Sequence, residues 1–246
     1  MKNLALIIEY IGTNYSGFQR QKNGLSIAEV IENAIEQATN ERIKLIPSGR
    51  TDKGVHALGQ VANFLTESNI PPDKMAININ LYLPQDIQIL KSFEVPLDFN
   101  SRKNAKRKTY IYKMKTGDSM SVFDRNRALF VRGEVDEGKM KRACSQIVGI
   151  HDFSAFVASG ATTKTTIRTI YSSTLFRENG YLIFEITGNG FLYNMVRILV
   201  GTLLLVGKNK MTIDQFKVLL NGGKRSDAGK TVAPDGLYLK EVVYDA

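Results

Sequence analysis

Positions 48 to 56 read Ser-Gly-Arg-Thr-Asp-Lys-Gly-Val-His, an acid flanked by Arg50 and Lys53 and bounded by Gly49 and Gly54. Two glycines permit positive φ or close backbone approach, so the segment is a loop. A turn needs Gly and Asp, but it has no need of a cation on each side of the acid. Asp52 is therefore either a turn former or a carboxylate kept ionised by neighbouring positive charge, since an opposite charge within several Å lowers its pKa. An ionised carboxylate can serve as nucleophile or general base. Asp52 and His56 could also begin a metal site, although the sequence offers no evident third ligand.

A second pattern is basic. Residues 102–115 hold seven cations, Arg102, Lys103, Lys106, Arg107, Lys108, Lys113 and Lys115, with no acid and with Tyr110 and Tyr112 between them. The alternation Thr109-Tyr110-Ile111-Tyr112 is that of a strand with both tyrosines on one face. Cations hold phosphates and aromatic rings stack on bases, which suits single-stranded or looped nucleic acid. The competing reading is an edge strand guarded by lysines, and that reading gives the spaced tyrosines no task. A third feature is Arg197, the one charged residue in the largely apolar stretch 191–206. A buried arginine demands a carboxylate partner, and Asp52 is an attractive candidate.

The 246 residues carry 33 Lys and Arg against 24 Asp and Glu, a formal net charge of +9. A surplus of that size suits a polyanion, either nucleic acid or an anionic membrane; the plain alternative is a soluble enzyme that is merely basic. One cysteine, Cys144, rules out an internal disulfide and a Cys-rich metal site. With His56 and His151 the only histidines, no metal centre is expected, and the absence of a P-loop or GxGxxG fingerprint argues against a nucleotide cofactor. The first apolar run stops at Glu9, too short for a signal sequence. The longest strongly apolar stretch, 198–206, falls far short of the roughly 20 residues of a membrane span. A soluble, cytoplasmic protein is the expectation.

The elements that must position these residues follow from periodicity. Residues 3–11 read as a buried strand, and Ser26 caps a helix to about Thr39, with Ile27, Val30, Ile31, Ala34, Ile35 and Ala38 at helical spacing. Strands are expected at 42–47, 58–65 and 86–95, with a short helix at 73–81. This is the strand–helix–strand–strand–helix–strand order of a split βαβ, ferredoxin-like unit. The alternation restarts near Ala105: strand 109–114, helix 136–148, strands 169–177 and 181–187, helices 192–206 and 213–220, and a last strand 237–243. The expected architecture is α+β, two ferredoxin-like halves, 1–100 and 101–246, sharing one continuous, mainly antiparallel sheet with helices on one face.

Several ordered motifs resemble one family. Residues 49–57 with Gly59-Gln60-Val61-Ala62 are similar to the active-site loop of the bacterial tRNA pseudouridine synthase A family. The likeness continues through residues 15–21, 105–112, 151–156, 190–197 and 233–239, nearly the whole chain. The resemblance implies isomerisation of uridine to pseudouridine at positions 38, 39 and 40 of the tRNA anticodon stem-loop, without cofactor, by a homodimer. It places the catalytic carboxylate at Asp52, acting at ribose C1′, at uracil C6 or through a glycal route. It places at Arg50 the arginine that helps extrude the target nucleotide, at Tyr110 the ring that stacks on the uracil, and at Arg197 the arginine paired with the catalytic acid. Lys53 together with Arg102, Lys106, Arg107 and Lys108 completes the expected RNA contacts. Four departures stand out: Lys53 and Ser101 where alanine is usual, Phe18 for a frequent tryptophan, and Ala28 for a glutamine. The alternatives are a related synthase acting on another RNA and a catalytically silent RNA-binding module. A bare acid in a phosphate-binding face would repel RNA, which favours catalysis.

Overall fold

The computed structural model describes residues 1–21, 24–160 and 163–245. The chain gathers into two compact units, one of Met1–Lys106 together with the C-terminal segment from Tyr238, the other of Arg107–Leu237. The last strand of the expected second half therefore belongs by compactness to the first unit.

In the first unit, β1 (Lys2–Tyr10) leads through a short 3-10 turn to α1 (Ile27–Thr39), β2 (Ile46–Pro47), β3 (His56–Thr66), α2 (Met75–Asn80) and β4 (Ile87–Val95). The central strand β1 lies antiparallel between β3 and β4, with Leu4 opposite Phe64 on one side and Glu94 on the other. β2 adds antiparallel to the far side of β3, giving the order β4-β1-β3-β2 of a split βαβ unit. A central strand shielded on both faces needs apolar residues at consecutive positions, and Leu4, Ala5, Leu6 and Ile8 are wholly buried. Ser26 caps α1 by accepting from the Glu29 amide at 3.2 Å. Ile27, Ile31, Ala34 and Ile35 form the helix's buried stripe, each full-sized side chain contributing roughly 1.5–3 kcal/mol.

The expected strand 42–47 shrinks to two residues. Leu45 donates its amide to the Glu32 carboxylate of α1 at 3.1 Å rather than to a neighbouring strand, and Arg42 and Lys44 are exposed.

The second unit runs β5 (Arg107–Gly117), β6 (Leu129–Arg132), α3 (Glu137–Ser145), β7 (Gly149–Asp152), β8 (Ile167–Glu178), β9 (Tyr181–Gly188), α4 (Met195–Gly207) and α5 (Ile213–Leu220). β5, β9, β8 and β7 pair antiparallel in that order, and the short β6 joins β5 in parallel. α3 and α4 pack on each other and on strands β8 and β5. β10 (Leu237–Val243) then returns to the first unit, pairing in parallel with β3 at Tyr238–His56 and Leu239–Ala57. The fold is α+β and mostly antiparallel, with five α-helices among the described residues.

Candidate active site

The loop 48–56 joins β2 to β3 and is held from beneath by buried polar groups. Ser48 donates its hydroxyl to Gln60 Oε1 at 2.5 Å, and Gln60 Nε2 donates to the Gly49 carbonyl at 3.0 Å. Both side chains are fully buried, where an unpaired amide would cost about 1–3 kcal/mol, so their mutual satisfaction fixes the loop's entry. Ser101, one of the departures, sends its hydroxyl to the Ile46 carbonyl just upstream. The phenol of Tyr10 on β1 meets the Thr51 hydroxyl at 2.8 Å.

Asp52 opens a tight turn closed by the Val55 amide donating to the Asp52 carbonyl at 3.1 Å. Gly54 takes φ +80, as the third position of a type II turn requires. This leaves Asp52 half-buried and puts Arg50 and Lys53 in solvent on either side. The segment before α1 packs against the same loop: the Phe18 amide donates to the Thr51 carbonyl at 3.2 Å. Gly17, at φ +95, passes so close that a Cβ there would lie 2.5 Å from that carbonyl oxygen. Phe18 is wholly buried, so its ring supports the loop and is closed to any RNA base.

His56 is a structural residue. Its Nδ1 accepts from the Gly12 amide at 3.1 Å, and its ring stacks on Tyr238 with centroids 4.6 Å apart. No group of three His, Cys, Asp or Glu with metal-holding geometry occurs among the described residues.

Tyr110 and Arg197 lie in the second unit. Tyr110 projects half-buried from β5, its ring edge-on to Phe191 at 5.0 Å. Tyr112 does not share its role: it is 0% exposed, and its hydroxyl donates to the Ala233 carbonyl at 2.7 Å. Burial pushes the Tyr112 phenol well above its ordinary pKa, against a downward pull from Arg197 and with an upward push from Asp235. Gly236 lets this turn approach, since a Cβ there would stand 2.7 Å from the Tyr112 ring. The expectation that both tyrosines offer rings to bases therefore fails for Tyr112.

Arg197, in the first turn of α4, is half-buried rather than sealed in the core. Its Nε donates to the Val232 carbonyl at 2.7 Å and its Nη1 to Asn194 Oδ1 at 2.6 Å. Asn194 adopts φ +60 ahead of the helix, a left-handed conformation Asn tolerates. These two contacts hold the guanidinium in one orientation.

The members of the basic run have different immediate surroundings. Arg102 and Lys103 are exposed, Lys106 pairs with Asp245 at 2.7 Å, and Arg107 lies over the Tyr171 ring at 5.0 Å. Lys108 is half-buried, and Lys113 and Lys115 both lie over Tyr181. An exposed pair such as Lys106–Asp245 is worth little in water and yields readily to a phosphate. Tyr10 and Gln60 are the supports that sequence reasoning missed; the one available signal was Gln60 standing among the apolar residues of 57–62.

A family model described as tRNA pseudouridine synthase matches residues 6–102 and 143–245. The tRNA pseudouridine synthase A of Acetivibrio thermocellus is 49% identical over 244 residues, covering 99% of this chain and 100% of that one. The tRNA pseudouridine synthase A of Clostridium kluyveri is 46% identical over the same length and coverage. Among solved structures, a chain of a Cbf5-Nop10-Gar1 complex aligns with 82% of this chain and 45% of its own length, at 15% identity and a TM-score of 0.40.

Proposed function

Since the chain belongs to the tRNA pseudouridine synthase family, an isomerase family acting on tRNA, we propose that it converts uridine to pseudouridine at positions 38, 39 and 40 of the anticodon stem-loop, with Asp52 as the catalytic carboxylate. The reaction breaks the N1–C1′ bond, turns the uracil and joins C5 to C1′. The C5 hydrogen leaves as a proton and N1 gains one, so substrate and product are isomers and no redox partner enters. The observation that carries the reading is the loop itself: a half-buried acid between two exposed cations, on a turn anchored by buried hydrogen bonds.

Each side chain then has a task its surroundings suit. Asp52 attacks or assists at the sugar or the base, and Arg50, in solvent, takes hold of the backbone of the extruded nucleotide. Extrusion costs a few kcal/mol and is easiest beside a loop. Tyr110 stacks on the uracil, and Arg197 stabilises the charge that grows as the base detaches. Lys53, Arg102, Lys106, Arg107 and Lys108 add backbone contacts. The protein works as a homodimer in the cytoplasm on this reading, and no described helix is long and apolar enough to cross a membrane.

The test is tritium release from 5-³H-uridine in an unmodified tRNA transcript carrying uridine at position 39, with Asp52→Ala as control. Release by the wild type alone supports the assignment. Tight binding without release points to another RNA substrate. Light scattering that gave a monomer at working concentration would remove the dimer.

A further inference from the structure

The first unit contains a cleft of about 750 Å³ between α1 and the segment leading into the Asp52 loop, a size typical of ligand sites. Five cations line it, Arg20, Arg42, Lys44, Arg50 and Arg102, against the two acids Glu32 and Glu36. Both acids are already matched: Arg20 lies 3.0 Å from Glu32, and Arg42 lies 2.8 Å from Glu36. Glu32 is engaged twice, since its other oxygen accepts the Leu45 amide and ties the cleft's two walls together. Lys44, Arg50 and Arg102 remain exposed, and no ion pair within the first unit offsets them among the described residues. The cleft is therefore built before any ligand arrives, and it carries a net charge of three positive side chains.

We infer that this cleft holds the phosphodiester backbone of the RNA strand adjoining the target nucleotide, with Lys44 and Arg102 as phosphate contacts beyond Arg50. This rests on the proposed role of the Asp52 loop. Arg50 lies two residues before Asp52 and also lines the cleft, so the RNA segment entering it is contiguous with the nucleotide at the acid. Guanidinium and ammonium groups spaced along one groove match a repeating phosphate better than a single compact anion. Neutralising two carboxylates within the wall removes the repulsion that would otherwise oppose a polyanion.

Each phosphate neutralised contributes about 0.7–0.9 to the slope of log affinity against log salt. The test measures tRNA binding by the full-length protein from 50 to 300 mM salt for wild type and for Lys44→Ala/Arg102→Ala. The expected result is a slope shallower by about 1.5. Lys141→Ala/Lys210→Ala removes the same charge from exposed sites of the second unit and should leave the slope within about 0.3 of wild type. An unchanged slope in the cleft variant, or an equal loss in the control pair, overturns the cleft. The slope is read on binding alone, so it decides the cleft even if tritium release fails and the role of Asp52 falls with it.

Discussion

The phenol oxygen of Tyr10 sits 2.8 Å from the Thr51 hydroxyl, with both side chains buried. Tyr10 closes the central strand of the first unit, and Thr51 precedes Asp52. The bond therefore ties the candidate catalytic loop to a strand paired on both sides, which is how a reactive group on a loop is kept in a fixed position.

Tyr10→Phe should cost about 1–2 kcal/mol of stability, since it leaves the Thr51 hydroxyl buried without that partner. It should lower kcat about tenfold while KM stays within twofold, because a small displacement of the reacting group affects the transition state more than substrate binding. Thr51→Val should do the same, and the double variant should lose little more than either single one. A double variant whose losses simply add would show that the two groups act independently.

Asp52→Asn should reduce turnover by at least about 10⁴-fold, as removal of a nucleophile does, while tRNA affinity stays within a few-fold. Arg50→Ala should weaken both, because its exposed guanidinium is assigned to the RNA backbone. Single-turnover kinetics beside filter binding separate the two. A near-normal rate for Asp52→Asn would remove the catalytic assignment.

The two tyrosines of β5 should separate cleanly. Tyr110→Ala should lower kcat with little change in unfolding midpoint. Tyr112→Phe should lower stability by about 1–2 kcal/mol through the stranded Ala233 carbonyl and leave kcat near wild type. Urea titrations with initial rates on the same preparations check this. A Tyr112→Phe protein with normal stability and impaired turnover would reverse the two roles.

Gly17→Ala should be among the most damaging single changes in the loop region. It combines φ +95 with a Cβ 2.5 Å from the Thr51 carbonyl oxygen, so the new methyl must push the segment off the catalytic loop. A loss of about 2–3 kcal/mol is expected, together with reduced kcat, read by denaturation and tritium release.

Much of this arrangement is legible in the sequence because it is local. The stripe Ile27, Ile31, Ala34 and Ile35 with Ser26 ahead of it predicts α1, and Gly54 two residues after Asp52 predicts the turn. What is not legible depends on partners far along the chain. Tyr10 reads as one more apolar position, and its bond to a residue 41 positions away leaves no periodic trace. Tyr110 and Tyr112 share a strand face by spacing, yet the turn around Gly236 covers only Tyr112. β7 escapes because four residues, Gly149–Asp152, are too few to show an alternation. The strand expected at 42–47 fails for a related reason: the Glu32 carboxylate takes the Leu45 amide, and no pattern in residues 42–47 announces that.

Alkaline pH should destabilise the protein in a way that the buried acids of the core dictate. Burial holds the Tyr10 and Tyr112 phenols well above their ordinary pKa of 10.0, and it pushes the Cys144 thiol up to about 12 from 9.0. In each case the folded state binds the proton more tightly than the unfolded chain. Their contribution to stability is thus whole below pH 9 and declines as the unfolded chain ionises first. Between its unfolded and folded pKa, each group removes about 1.4 kcal/mol per pH unit. Urea unfolding at pH 8, 9, 10 and 11 should show a flat stability at first and a steepening fall above pH 9–10. Tyr10→Phe should make that fall shallower, because the substituted ring has no proton to lose. A stability that stayed level to pH 11, or a slope unaffected by Tyr10→Phe, would mean that these phenols ionise as freely in the fold as in the open chain.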